Sequence, residues 1–121
     1  MTTTARQTLG AYGEALAARY LAQQHGMVLL DHNWRGPAGE IDLVLRDGRT
    51  LVVCEVKTRR SHSHGSPLEA IDAVKAARLR RLAAQWLEAR GLRVPEVRID
   101  AVTVLAPKHG AATVEHVRGV G

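Results

Sequence analysis

Apolar residues first recur at helical spacing between residues 8 and 25. Leu9, Tyr12, Leu16 and Tyr20 share a stripe there and Gly26 is placed as a C-cap, which predicts an opening helix. The period then changes. Residues 27–33 form a short apolar run that suits a strand, and residues 35–39, with Pro37 and two glycines, read as a connection. In residues 40–46, Ile41, Leu43 and Leu45 alternate with polar positions, and residues 49–58 continue after Asp47-Gly48, a strong two-residue hairpin signal. Residues 59–66 are polar and predict an exposed, mobile loop. Ser66-Pro67-Leu68-Glu69 then carries serine at N-cap, proline at N1 and glutamate at N3, announcing a long helix that Gly91 closes. Residues 96–105 read as a strand, 107–110 as a turn and 112–118 as a final edge strand. The predicted order is α-β-β-β-α-β-β, in a single domain with residues 1–7 as a flexible lead-in.

The hairpin constrains the chemistry. With Asp47 and Gly48 as loop residues, Arg46 faces Arg49, Asp42 faces Val53 and Glu40 faces Glu55. Alternation then sends Asp42, Glu55 and Lys57 to one face, with Asp42 and Glu55 diagonal neighbours whose Cβ atoms lie within about 7 to 8 Å. Two acids on otherwise apolar strands raise each other's pKa, and a divalent cation removes that cost. Magnesium suits such a site, being satisfied by one or two carboxylates with backbone oxygen, water and phosphate. Lys57 is positioned to orient an attacking water or to stabilise charge on a phosphate. The plainer reading is that Glu40, Asp42, Glu55 and Lys57 form the solvated face of a ribbon.

Two features favour a site. Glu14 has Gly10, Ala11, Ala17, Ala18 and Leu21 as its helical neighbours and no basic partner among them. Lys75 falls within the apolar stripe of Leu68, Ile71, Leu79, Leu82 and Trp86, so it either snorkels to solvent or reaches a site at the sheet edge.

Charge and composition narrow the partners. The 121 residues hold 17 Lys plus Arg against 12 Asp plus Glu, a formal charge of +5. Seven of those 17 basic residues (Lys57, Arg59, Arg60, Lys75, Arg78, Arg80 and Arg81) crowd one short stretch around the acids, as binding to phosphates requires. The only aromatics are Tyr12, Tyr20, Trp34 and Trp86, with no Phe, which argues against a base-stacking platform. The single cysteine, Cys54, excludes an intramolecular disulfide and reads as a buried thiol. His62 and His64 read as exposed loop residues rather than a metal pair. No apolar run has the length of a bilayer span and no signal peptide is evident, so no membrane is expected and the cytosol is the default.

Gly39-Glu40-Ile41-Asp42-Leu43-Val44, then Glu55-Val56-Lys57-Thr58-Arg59, after a helix bearing Gly13-Glu14, resemble the PD-(D/E)xK nuclease superfamily. More narrowly they resemble the bacterial YraN family of uncharacterised predicted endonucleases, itself similar to archaeal Holliday-junction resolvases. The resemblance runs from Gly13 to about Leu105 and includes Asn33-Trp34-Arg35, Lys75 and Arg98-Ile99-Asp100. Ile41 stands where the superfamily's proline would be, a position that supplies no ligand.

The resemblance implies a restriction-endonuclease-like α/β core, a central mixed sheet flanked by helices with the acidic strands at its middle. It implies Mg²⁺- or Mn²⁺-dependent hydrolysis of DNA, duplex or branched. Asp42, Glu55 and the Val56 carbonyl would be the metal ligands and Lys57 the catalytic lysine, with Glu14 adding a helical glutamate through water. Lys75 matches a phosphate-contacting position, and Arg35, Arg59, Arg60 and Arg78 are the other expected nucleic-acid contacts. Related resolvases act as dimers, which makes a homodimer an expectation. Two other readings are a non-catalytic nucleic-acid-binding module on this fold and an interaction protein using the edge strand near Val114 and Val117.

Overall fold

The computed structural model describes residues 4–61 and 71–120. Helix α1 spans Ala5–His25, strands β1 to β3 span Val28–Gly36, Gly39–Asp47 and Thr50–Arg59, helix α2 spans Ala73–Arg90, and strands β4 and β5 span Glu96–Leu105 and Thr113–Val117. The predicted order is the observed one. The strands form one mixed sheet in the order β1-β2-β3-β4-β5, with β3 and β4 parallel and the other neighbours antiparallel. A parallel neighbour requires a crossover, and α2 supplies it.

Each face of the sheet buries one apolar layer under one helix. Ala17 and Leu21 of α1 pack with Leu43, Leu45, Val52, Cys54 and Val102. On the other face Leu79, Leu82 and Trp86 of α2 pack with Val44, Val53 and Ile99. Cys54 is fully buried as expected, and burial raises its thiol pKa. Among the described residues no helix is long and apolar enough to cross a membrane.

Several boundaries differ from expectation. Helix α1 starts at Ala5, ahead of residue 8, because Thr4 accepts from the Gln7 amide and the Gln7 side chain accepts from the Thr4 amide, a complete capping box. Residues 35–39 are a tight hairpin rather than a loose connection, since Gly36 pairs with Gly39. Helix α2 begins at Ala73, with Asp72 as N-cap accepting from the Lys75 amide at 2.8 Å. The expected start at Ser66-Pro67-Leu68-Glu69, together with His62 and His64, lies outside the described residues.

The β2–β3 register is corrected by two residues: Asp47 pairs with Thr50 and Arg46 with Leu51, so the loop residues are Gly48 and Arg49. Gly48 has φ 61° and takes the first central position, which favours glycine, while Arg49 keeps a negative φ. β5 is an edge strand as expected. Its Val114 and Val117 pack against the two core layers, however, so they form no exposed apolar patch.

One buried acid holds the β4–β5 side together. Asp100 is fully buried and accepts from Arg98 Nε at 2.8 Å, His116 Nε2 at 2.8 Å and the Gly119 amide at 3.2 Å.

Candidate functional site

The paired register of β2 and β3 ends at Leu43 with Cys54. Beyond it the Val56 amide donates to Asp42 Oδ2 at 2.8 Å, so a side-chain carboxylate takes the place of a backbone acceptor. A strand residue's N–H and C=O point to the same side, and the Val56 carbonyl is therefore directed into the same gap. The expected facing of Glu40 with Glu55 does not occur. Glu40 pairs instead with Arg35 of β1, and its Oε2 lies 3.3 Å from the Arg35 guanidinium.

On the β1 side, pairs form at His32–Leu43 and Trp34–Ile41 and skip the position between them. Asn33 occupies that position with φ 48°, the sole non-glycine positive φ among the described residues, and asparagine tolerates this conformation better than most residues. Its Nδ2 donates to Glu14 Oε1 at 3.0 Å and to Glu40 Oε1 at 3.3 Å. A left-handed asparagine thus ties the helical glutamate to the acidic strand.

Glu14 reaches this position because α1 lies unusually close to β3. A Cβ on Gly13 would stand 1.7 Å from Thr58 Oγ1, so only glycine fits there. Sequence reasoning missed both the Asn33 bridge and the Gly13–Thr58 contact. The signals were present as Gly13-Glu14 and Asn33-Trp34-Arg35, without a mechanism attached.

From the other face α2 closes the site. Lys75 does not snorkel: its Nζ lies 2.6 Å from Glu55 Oε1, with the two side chains 22% and 12% exposed. Glu40, Asp42, Glu55, Lys75 and Arg78 line a cleft of about 320 Å³ floored by Gly39 and Leu79. Of the expected site residues, the structure brings Asp42, Glu55, Lys75 and Arg78 together and sets Glu14 and Arg35 around Glu40. Lys57 is exposed and lines a separate cleft with Arg59 and Arg60. Arg60 Nη1 donates to the Ala106 carbonyl at 3.1 Å and the Arg59 carbonyl accepts from the Ala106 amide, so these two also fasten the end of β3 to the end of β4.

Burial, reinforced by the charges of Glu55, Glu14 and Glu40, pushes the Asp42 carboxyl up to about 7 against the opposing pull of the Val56 amide. A proton relieves this concentration of acids, and so does a cation. The donor set of Asp42, Glu55 and the Val56 carbonyl consists of hard oxygens and suits a magnesium-like ion, which needs only one or two carboxylates. Among the described residues no three His, Cys, Asp or Glu side chains come together as a metal-binding group.

Comparison with known proteins follows the same residues. The family model of the uncharacterised protein family UPF0102 matches residues 13–104. A UPF0102 protein of Nocardioides sp. is 60% identical over 116 residues, covering 96% of this chain and 93% of its own length. UPF0102 proteins of Beutenbergia cavernae and Streptomyces griseus are 55% and 57% identical, covering 97% and 96% of this chain and 98% of their own lengths.

Proposed function

We propose that this chain, which belongs to the uncharacterised protein family UPF0102, is a divalent-metal-dependent endonuclease hydrolysing DNA phosphodiester bonds, duplex or branched. The reading extends to membership of the PD-(D/E)xK nuclease superfamily and likeness to archaeal Holliday-junction resolvases. One observation carries it. Asp42 is set into the opening between β2 and β3 beside Glu55, its carboxyl driven towards neutrality, in a cleft whose other wall is basic.

Asp42, Glu55 and the Val56 carbonyl would hold Mg²⁺ or Mn²⁺, which when bound supplies Lewis-acid polarisation of the phosphodiester and lowers the pKa of an attacking water. The chain's own residues do the rest. Asn33 fixes Glu14 and Glu40 and keeps the acids aligned. Lys75 neutralises Glu55 and, with Arg78, gives the cleft a wall that attracts phosphate. Lys57 is exposed and lines the separate cleft of Arg59 and Arg60; in this reading it would offset charge on the phosphoryl oxygens of a strand that spans both clefts.

The test is cleavage of duplex, flap and four-way DNA with Mg²⁺ or Mn²⁺, run beside Glu55→Ala. The reading expects metal-dependent cleavage by the wild type alone, and it fails if both proteins give the same trace. The Lys75–Glu55 ion pair favours a second reading, a nucleic-acid-binding module whose cation position a lysine fills. That module would bind DNA with steep salt dependence, indifferent to EDTA and to loss of Asp42.

A further inference from the structure

At the opposite end of α2 from the acidic cleft, the structure holds a second hollow. It has a volume of about 430 Å³, within the range of about 300 to 1,000 Å³ common for ligand pockets. The floor is apolar: Leu51 and Trp86 are buried, and Leu30 and Leu92 remain 38% and 50% exposed at its edges. This floor is rigid. Trp86 Nε1 donates to Asp31 Oδ2 at 3.0 Å, and the Arg90 guanidinium sits 5.0 Å above the indole ring.

The rim carries three arginines from three segments: Arg46 at the end of β2, Arg49 in the hairpin loop and Arg93 after α2. None of the lining residues is acidic, and among the described residues no ion pair engages these three. Arg46 Nη1 makes a 3.3 Å bond to the Gly48 carbonyl, which holds it at the rim. A preformed apolar recess under uncompensated positive charge asks for a ligand with an apolar anchor and carboxylates beside it.

We propose that this hollow is a docking site for an acidic peptide segment of a partner protein, which seats a large apolar side chain against Leu30 and Leu92 and sets flanking carboxylates against Arg46, Arg49 and Arg93. Nucleic acid fits less well. Trp86, the only aromatic in the lining, is buried and offers no face for a base to stack on. The inference is independent of the nuclease reading.

The probe is a fluorescein-labelled peptide with a central leucine–phenylalanine pair between glutamates, followed by fluorescence anisotropy with the full chain. Saturable binding is expected. It should fall tenfold or more when the glutamates become glutamines, when the apolar pair becomes serines, or when the protein carries Arg49→Glu with Arg93→Glu. Both arginines are exposed, so the double variant should keep the wild-type melting temperature, and it should bind a lysine-flanked version of the peptide instead. Absence of saturation up to millimolar peptide overturns the proposal, as does equal binding of the serine control. Displacement of the peptide from wild-type protein by short duplex DNA would assign the patch to nucleic acid and also overturn it.

Discussion

Asparagine at position 42 is the sharpest perturbation of this site, because it removes the charge and keeps the shape. The amide oxygen of Asp42→Asn can still accept from the Val56 amide, whose present bond to Asp42 Oδ2 is 2.8 Å. The folded state holds the Asp42 carboxyl at about 7 against an ordinary value of 3.8. At about 1.4 kcal/mol for each unit, ionising it in place costs the folded protein roughly 4 kcal/mol. Relaxation of Glu14, Glu40 and Glu55 reduces that to about 2 to 4 kcal/mol. Below pH 3.8 the carboxyl is neutral whether the chain is folded or not, and the penalty is absent. As pH rises from there to 7 the unfolded chain gives up this proton while the folded one keeps it, so wild-type stability falls relative to the variant. Above pH 7 the loss is complete.

Urea unfolding in EDTA should therefore show the two proteins nearly equal at pH 4 and the variant more stable by about 2 to 4 kcal/mol at pH 8. Adding magnesium at tenfold its dissociation constant should return about 1.4 kcal/mol to the wild type and nothing to the variant. A variant no more stable than wild type at pH 8 would refute the claim that Asp42 is held under electrostatic strain.

Three other outcomes are expected. Gly13→Ala forces a methyl into Thr58 Oγ1 and should cost about 2 to 3 kcal/mol in chemical denaturation, part of which Thr58→Ala restores by removing the hydroxyl. Lys75→Met should tighten divalent-ion binding in isothermal titration, since the ammonium no longer competes for Glu55, whereas Lys57→Ala should leave ion affinity unchanged and slow DNA cleavage about 100-fold. Asp100→Ala removes a buried carboxylate from Arg98 and His116 and should cost about 3 to 5 kcal/mol at neutral pH. Burial alone would raise the Asp100 pKa, but hydrogen bonds from His116, Arg98 and the Gly119 amide hold it below 3.8. Its contribution is therefore complete above that pH and fades as acid titrates the folded state, which thermal melts at pH 7 and pH 2.5 would show.

Much of this architecture was legible in the sequence because two periods carry it. Alternation assigns the faces correctly along β3 and from Leu43 onward in β2, but Ile41, expected on the face of Leu43 and Leu45, packs in the opposite layer under α2, so the alternation breaks at Asp42. A slip of one residue would have turned every side chain over, whereas the actual slip of two keeps odd and even positions apart. Asp-Gly is the stronger local signal for a loop pair, but Gly48 takes the first loop position and Arg49 the second. What could not be read is long-range and particular. Nothing local says that Asn33 turns left-handed and bridges Glu14 to Glu40. Nor does it say that Lys75 bends towards Glu55 rather than to solvent, because that choice depends on where β3 lies under α2. The helix at Ala73 takes Asp72 as its cap, a position not singled out from the sequence.

The burial of Cys54 has a use beyond packing. It is the sole cysteine in the chain, it is fully enclosed, and it precedes Glu55 on the strand that borders the acidic gap. Its side chain lies in the layer beneath α1, so a thiol reagent reaches it only when α1 lifts from the sheet or the sheet opens, and the rate of modification is a clock for that opening. The chain thus carries its own reporter of how firmly the helix bearing Glu14 is held against the sheet.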